Sequence, residues 1–122
     1  VSTPFRLELK IHGLPKMSNA LLRSGWKAKH GHARQWKRRV WAVAWPYRPA
    51  KPLDRVKLTL TRCSSSEPDA DGLVSGFKSV IDGLVEAGIL VNDRPANIGF
   101  PDYRWEYCVK GKGHLIIVVE SN

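Results

Sequence analysis

At 122 residues, with 43% hydrophobic and 25% charged residues, the chain has the make-up of one soluble globular domain spanning 1–122, not of a disordered chain. No apolar run approaches the roughly 20 residues that span a bilayer, and the opening VSTPFRLELK lacks the apolar core of a signal peptide, so the expected compartment is the cytoplasm. Net charge is +9 and unevenly placed: residues 9–53 hold eleven Lys/Arg and no acid, while the rest carries nine bases against eleven acids.

Such segregation creates a directional field, and nucleic-acid phosphate is the commonest target for one. Cys63 and Cys108 lie 45 residues apart with no CxxC and no Cys/His cluster, which argues against structural zinc and for buried free thiols in a reducing compartment.

In chain order, Phe5–His12 alternates apolar and polar residues and predicts a half-buried strand ended by Gly13-Leu14-Pro15. Residues 15–19 are turn-like. Residues 20–31 are ambiguous, with Leu21 and Leu22 suggesting packing and Gly25 and Gly31 a mobile loop. His30 and His32, two apart in that neighbourhood, read as solvated rather than as metal ligands.

From His32 to about Trp45 the period becomes helical. Ala33, Trp36, Val40, Val43 and Ala44 form one stripe, with Arg34, Lys37, Arg38 and Arg39 elsewhere around the cylinder. Trp41 and Trp45 extend the apolar side, which assigns the tryptophans to a core or dimer interface; stacking on unpaired bases is the alternative. Pro46, Pro49 and Pro52 then stop the helix.

Val56–Cys63 alternates again and predicts a second strand, followed by the polar loop 64–68. A second helix over about 73–87 buries Leu73, Phe77, Val80, Ile81 and Leu84, and Gly88 ends it. Tyr103–Val109 is a third strand, 110–113 a hairpin loop, and Leu115–Val119 an apolar, central fourth strand. The order β-α-β-α-β-β predicts an α+β fold: a four-stranded mixed sheet with two main helices packed on one face.

The chemistry concentrates in residues 68–94. Asp71 is the expected N-cap of the second helix, a role that leaves Asp69, two residues upstream, unexplained. Two carboxylates at this spacing share one pocket only against their mutual repulsion, which a divalent cation relieves. Mg²⁺ suits such a pair, because it takes hard oxygen ligands and completes its shell with water and phosphate.

Asp71, Ser75, Lys78 and Asp82 follow at i, i+4, i+7 and i+11 on one solvent-facing line. Lys78 and Asp82 are either a surface ion pair or part of the site, with Lys78 against a phosphate. A helix over 73–87 is about 22 Å long and the six residues after it return about 20 Å. Asp93 therefore reaches Asp71 either by a tight path along the helix or from a second copy of the chain.

The ordered set Asp69-x-Asp71-x-Leu73, Lys78-x-x-x-Asp82-x-Leu84, Ala87-Gly88 and Asn92-Asp93 resembles the signature of the RusA family of Holliday-junction resolvases. Pro15 with Ser18-Asn19 matches that family's N-terminal element. The resemblance implies a small, often phage-borne, Mg²⁺-dependent endonuclease, acting as a homodimer on four-way DNA junctions in recombination and repair. It also implies that Asp69, Asp71 and Asp93 are metal-binding catalytic acids and Lys78 the catalytic lysine, in the cytoplasm of a bacterial or phage-infected cell.

Gly72 stands where the family usually has Asn, Asn92 replaces the first of an Asp-Asp pair, and the spacer from Asp71 to Lys78 is longer than in the family's bacterial form. Lys16, Asn19, Lys27, Lys29, Arg34, Lys37, Arg38 and Arg39 are the expected DNA-binding residues, reading shape and phosphate rather than base sequence. The competing expectations are a protein on the same scaffold that holds branched DNA without cutting it, and a basic RNA-binding protein.

Overall fold

A computed structural model describes residues 4–16 and 25–121. Strand β1, Arg6–His12, buries alternate residues, Leu7, Leu9 and Ile11. It pairs antiparallel with β4, His114–Ser121, in the register Leu7↔Val119, Leu9↔Ile117, Ile11↔Leu115. All six of these side chains share one buried cluster with the helices, so the helices cover that face of the sheet.

β2, Val56–Ser64, lies on the other side of β4, antiparallel to it, and β3, Asp102–Tyr107, pairs parallel with β2. The sheet is therefore mixed, in the order β1-β4-β2-β3, with β4 central as its apolar sequence predicts. The fold is α+β.

The hairpin expected at 110–113 does not form. β2 lies between β3 and β4, and residues 108–113 carry the chain past its end, with Gly111 at φ 89° in the turn. β3 takes the parallel place because the helical segment between it and β2 supplies the crossover that parallel strands require.

Helix α1 runs Trp26–Ala44, starting six residues before the predicted His32, and Trp45–Tyr47 continues it as one 3₁₀ turn. Its first turns have no apolar stripe, which is why the sequence pattern missed them. Trp36, Val40 and Ala44 are its buried residues. The second predicted helix is two: α2, Ala70–Ser75, and α3, Lys78–Glu86. Between them Gly76 and Phe77 turn the chain, and Phe77, 1% exposed, enters the core beside Tyr103 with ring centroids 6.0 Å apart.

α3 crosses α1 at close range. A Cβ on Gly83 would stand 2.8 Å from Val40 Cβ and 3.0 Å from the Lys37 carbonyl oxygen, so only glycine allows this approach. At its far end Gly88, at φ 80°, donates to the Val85 carbonyl while Ile89 donates to that of Leu84, a Schellman closure. The chain then bridges Leu53 to Leu90 and makes one further turn, α4, Pro95–Ile98, before β3.

Candidate functional site

Asp69, not Asp71, caps α2: its Oδ1 accepts the Gly72 N–H at 2.6 Å. Asp71 sits in the first helical turn with its side chain exposed. The reversal follows from the helix beginning at Ala70, earlier than Leu73, which moves the cap back by two residues. Both carboxylates thus face the positive end of the short helix, one bound to its backbone and one open to solvent.

The chain returns Asp93 to α3. A cavity of about 300 Å³ is walled by Ser75, Lys78, Asp82, Asp93, Phe100 and Tyr103, among others. A second cavity, of about 240 Å³, also has Asp82 and Asp93 in its wall, with Lys37, Glu86 and Asn92. Lys78 and Asp93, fifteen residues apart in sequence, therefore line one cavity. Asp69 and Asp71 line neither cavity, because the turn at Gly76–Phe77 breaks the straight line from Asp71 to Asp82.

Among the described residues no three His, Cys, Asp or Glu side chains form a group that could hold a metal ion. Asp69 with Asp71, and Asp82 with Asp93, are two carboxylate pairs, and neither gains a third such ligand from the described residues. Asn92 turns inward on its own loop, its Oδ1 accepting the Arg94 N–H at 2.9 Å. An aspartate there could accept the same bond, so the Asn preserves the turn that presents Asp93.

The basic residues divide. Lys16, Lys27, Lys29, Arg34 and Arg38 are exposed, and none of them makes an ion pair with a described residue. Lys37 is tied to Glu86 at 2.7 Å, a hydrogen bond that raises its pKa. Arg39 donates to the His12 carbonyl and lies 4.3 Å from the Trp36 ring centroid. These two cations hold the fold as well as adding to the field. Asn19 lies outside the described residues.

His30 and His32 stand in α1 rather than in a loop. His32 Nε2 accepts the Lys16 backbone N–H at 3.0 Å, and burial, then the Lys16 charge, hold its pKa below the usual histidine value. Both cysteines are free; Cys63 is buried and Cys108 half-buried, and burial, with Glu106 next, pushes the Cys63 thiol up.

Arg62 escaped the sequence reading although its signal was present. The alternation Leu58, Leu60, Arg62 places it on the inner face of β2, where it is 8% exposed. Its guanidinium donates to the Pro15 carbonyl at 3.0 Å, its Nε has no partner among the described residues, and burial lowers its pKa.

Trp36 is buried as expected, but Trp41 and Trp45 do not join the core: they are 40% and 38% exposed. A cavity of about 570 Å³ at the end of the sheet is lined by Lys10, His12, Cys108, Lys112 and His114, with no carboxylate and none of the motif residues. No helix among the described residues is long and apolar enough to cross a membrane. No protein-family model matches the chain, and a search of curated proteins gives no match.

Proposed function

We propose that this chain is a structure-specific DNA endonuclease of RusA type, acting on four-way and other branched junctions. The observation that carries the reading is the cavity lined by both Lys78 and Asp93, beside the helix that follows the Asp69–Asp71 pair. These are the four positions to which the resemblance assigns the catalytic acids and the lysine.

Asp69 and Asp71 would hold Mg²⁺, with one Asp69 oxygen kept by the helix cap and the shell completed by water and phosphate. When bound, such an ion activates water and stabilises the leaving oxygen of a phosphodiester. Lys78 offsets negative charge building on the phosphate. Asp93 would join the pair within its own chain, on the side of Lys78, or from a second copy. A two-fold dimer suits a substrate of near two-fold symmetry that needs paired nicks. Lys27, Lys29, Arg34 and Arg38 hold duplex phosphates, so affinity depends on junction shape and on salt.

The second reading, a protein that binds branched DNA without cutting it, is favoured by the absence of a three-carboxylate group among the described residues of one chain. A synthetic four-way junction, incubated with the protein in Mg²⁺ and in EDTA, separates the two. Paired nicks in Mg²⁺ alone support the nuclease. Binding without nicks at any Mg²⁺ concentration supports the second reading, and equal affinity for junction and linear duplex removes both.

A further inference from the structure

The exposed side of α1 carries a pattern that phosphate binding leaves unexplained. Lys27, Arg34, Arg38, Trp41 and Trp45 follow one another at spacings of seven, four, three and four residues, which keeps them on one stripe of the helix and the start of its 3₁₀ extension, and Arg48, just beyond that turn, joins the stripe through the Trp45 ring. All six side chains are exposed. The stripe is cationic at one end and aromatic at the other, and α1 contains no carboxylate.

The aromatic end is already stacked. The Trp41 and Trp45 rings lie 5.0 Å apart at an interplanar angle of 23°, and the Arg48 guanidinium carbon sits 3.6 Å from the centroid of the Trp45 ring. Arg48 is fixed in that place by its bond to the Trp45 carbonyl at 2.9 Å. Trp45 is therefore sandwiched, with Trp41 one turn before it and Arg48 after it. Trp41 is 40% exposed, and Arg38 lies three residues before it on the same stripe. The two stacked indoles keep 40% and 38% of their surface exposed, and a flat aromatic group laid on Trp41 would lengthen the column.

We propose that this stripe binds a single-stranded segment of DNA, one unpaired base stacking on Trp41 and the adjoining phosphates lying along Arg38 and Arg34. Base–aromatic stacking beside a basic track is the general chemistry of single-strand binding, and a guanidinium at the end of the column adds to it. From Arg34 to Arg48 the stripe is about 21 Å long, the reach of about six stacked nucleotides. A second copy of the chain fits poorly, since it would set one acid-free cationic ridge against another. The choice of DNA over RNA rests on the branched-DNA reading above; the stacking surface does not.

The test is run in EDTA, where no cleavage intervenes, with labelled dT15, rU15 and a 15-base-pair duplex, and with wild type, Trp41→Phe and Trp41→Ala. Binding of dT15 quenches tryptophan fluorescence in wild type. Trp41→Ala weakens dT15 binding by about 5- to 150-fold, Trp41→Phe by less, and duplex affinity moves by less than about twofold. Far-UV circular dichroism checks that the alanine variant folds; should it not, the wild-type quench and the phenylalanine variant decide.

The proposal fails if dT15 binding is within about twofold of wild type in Trp41→Ala, or if duplex binding falls in parallel. It fails also if the substitution instead dissolves a dimer, or if rU15 binds more tightly than dT15. Junction cleavage in Mg²⁺ that survives any of these failures leaves the nuclease reading standing alone.

Discussion

Asp69 shows how a single side chain is asked for two things. As N-cap it accepts the Gly72 N–H, and asparagine does this as well as aspartate. Asp69→Ala is therefore expected to cost about 1 kcal/mol of stability in urea denaturation, while Asp69→Asn stays within a few tenths. If Asp69→Asn is as stable as wild type yet inactive, the carboxylate has a role beyond the cap; full activity in that variant reduces it to a cap. The sequence located the acid pair but exchanged the two roles, because the helix start is set by an alanine that carries no pattern of its own.

His32 offers a pH test at the same scale. Its neutral ring accepts the Lys16 N–H, and its folded-state pKa lies below that of the unfolded chain. The unfolded state therefore takes up the proton first. The stabilisation is complete above about pH 6.5 and is lost as pH falls through the lower, folded value. The melting temperature should drop as pH falls below about 6.5, more in wild type than in His32→Gln. Identical pH profiles for the two proteins would show that the ring does not link the segment after β1 to α1 in this way.

At the scale of elements, the strands were the legible part. Strict alternation in β1 and β2 and the apolar run of β4 each fix a buried face, and a register slip would turn the core outward. Pairing partners were not legible: β3 has the same local pattern whether it joins β4 in a hairpin or β2 in parallel. The long first helix was seen only where it is amphipathic, and its exposed first turns, Trp26 to Gly31, were hidden by two glycines.

The break at Gly76–Phe77 was hidden because Phe77 keeps the helical period while leaving the helix. The crossing of α1 and α3 is the element contact most open to test. Gly83→Ala gains helix propensity but drives a methyl group into Val40 and the Lys37 carbonyl. The expected result is a net loss of about 1–3 kcal/mol in denaturant unfolding. A neutral or stabilising alanine would mean that the helices do not approach as closely as described.

Over the whole molecule, charge segregation along the chain was readable from the sequence alone, and the structure packs the acid-free α1 against α3, whose Glu86 pairs with Lys37. What the sequence could not give is which cations are free. Lys37 and Arg39 are engaged with Glu86 and with Trp36 and His12, whereas Arg34 and Arg38 make no ion pair with a described residue. Nor could it separate Trp36, buried at 4%, from Trp41 and Trp45, since all three satisfy a helical period.

The catalytic proposal is likewise a statement about the assembly. In one chain Asp93 and Lys78 line the same cavity, and Asp69 and Asp71 stand at the start of the preceding helix. Cleavage and binding of a four-way junction, measured side by side for wild type and Asp71→Asn, test it most directly. Wild type should nick the junction in Mg²⁺ and not in EDTA, and Asp71→Asn should lose about 100-fold or more of that rate while binding the junction at least as tightly. An Asp71→Asn variant that cuts at the wild-type rate, or a wild type that cuts equally well in EDTA, would contradict the account.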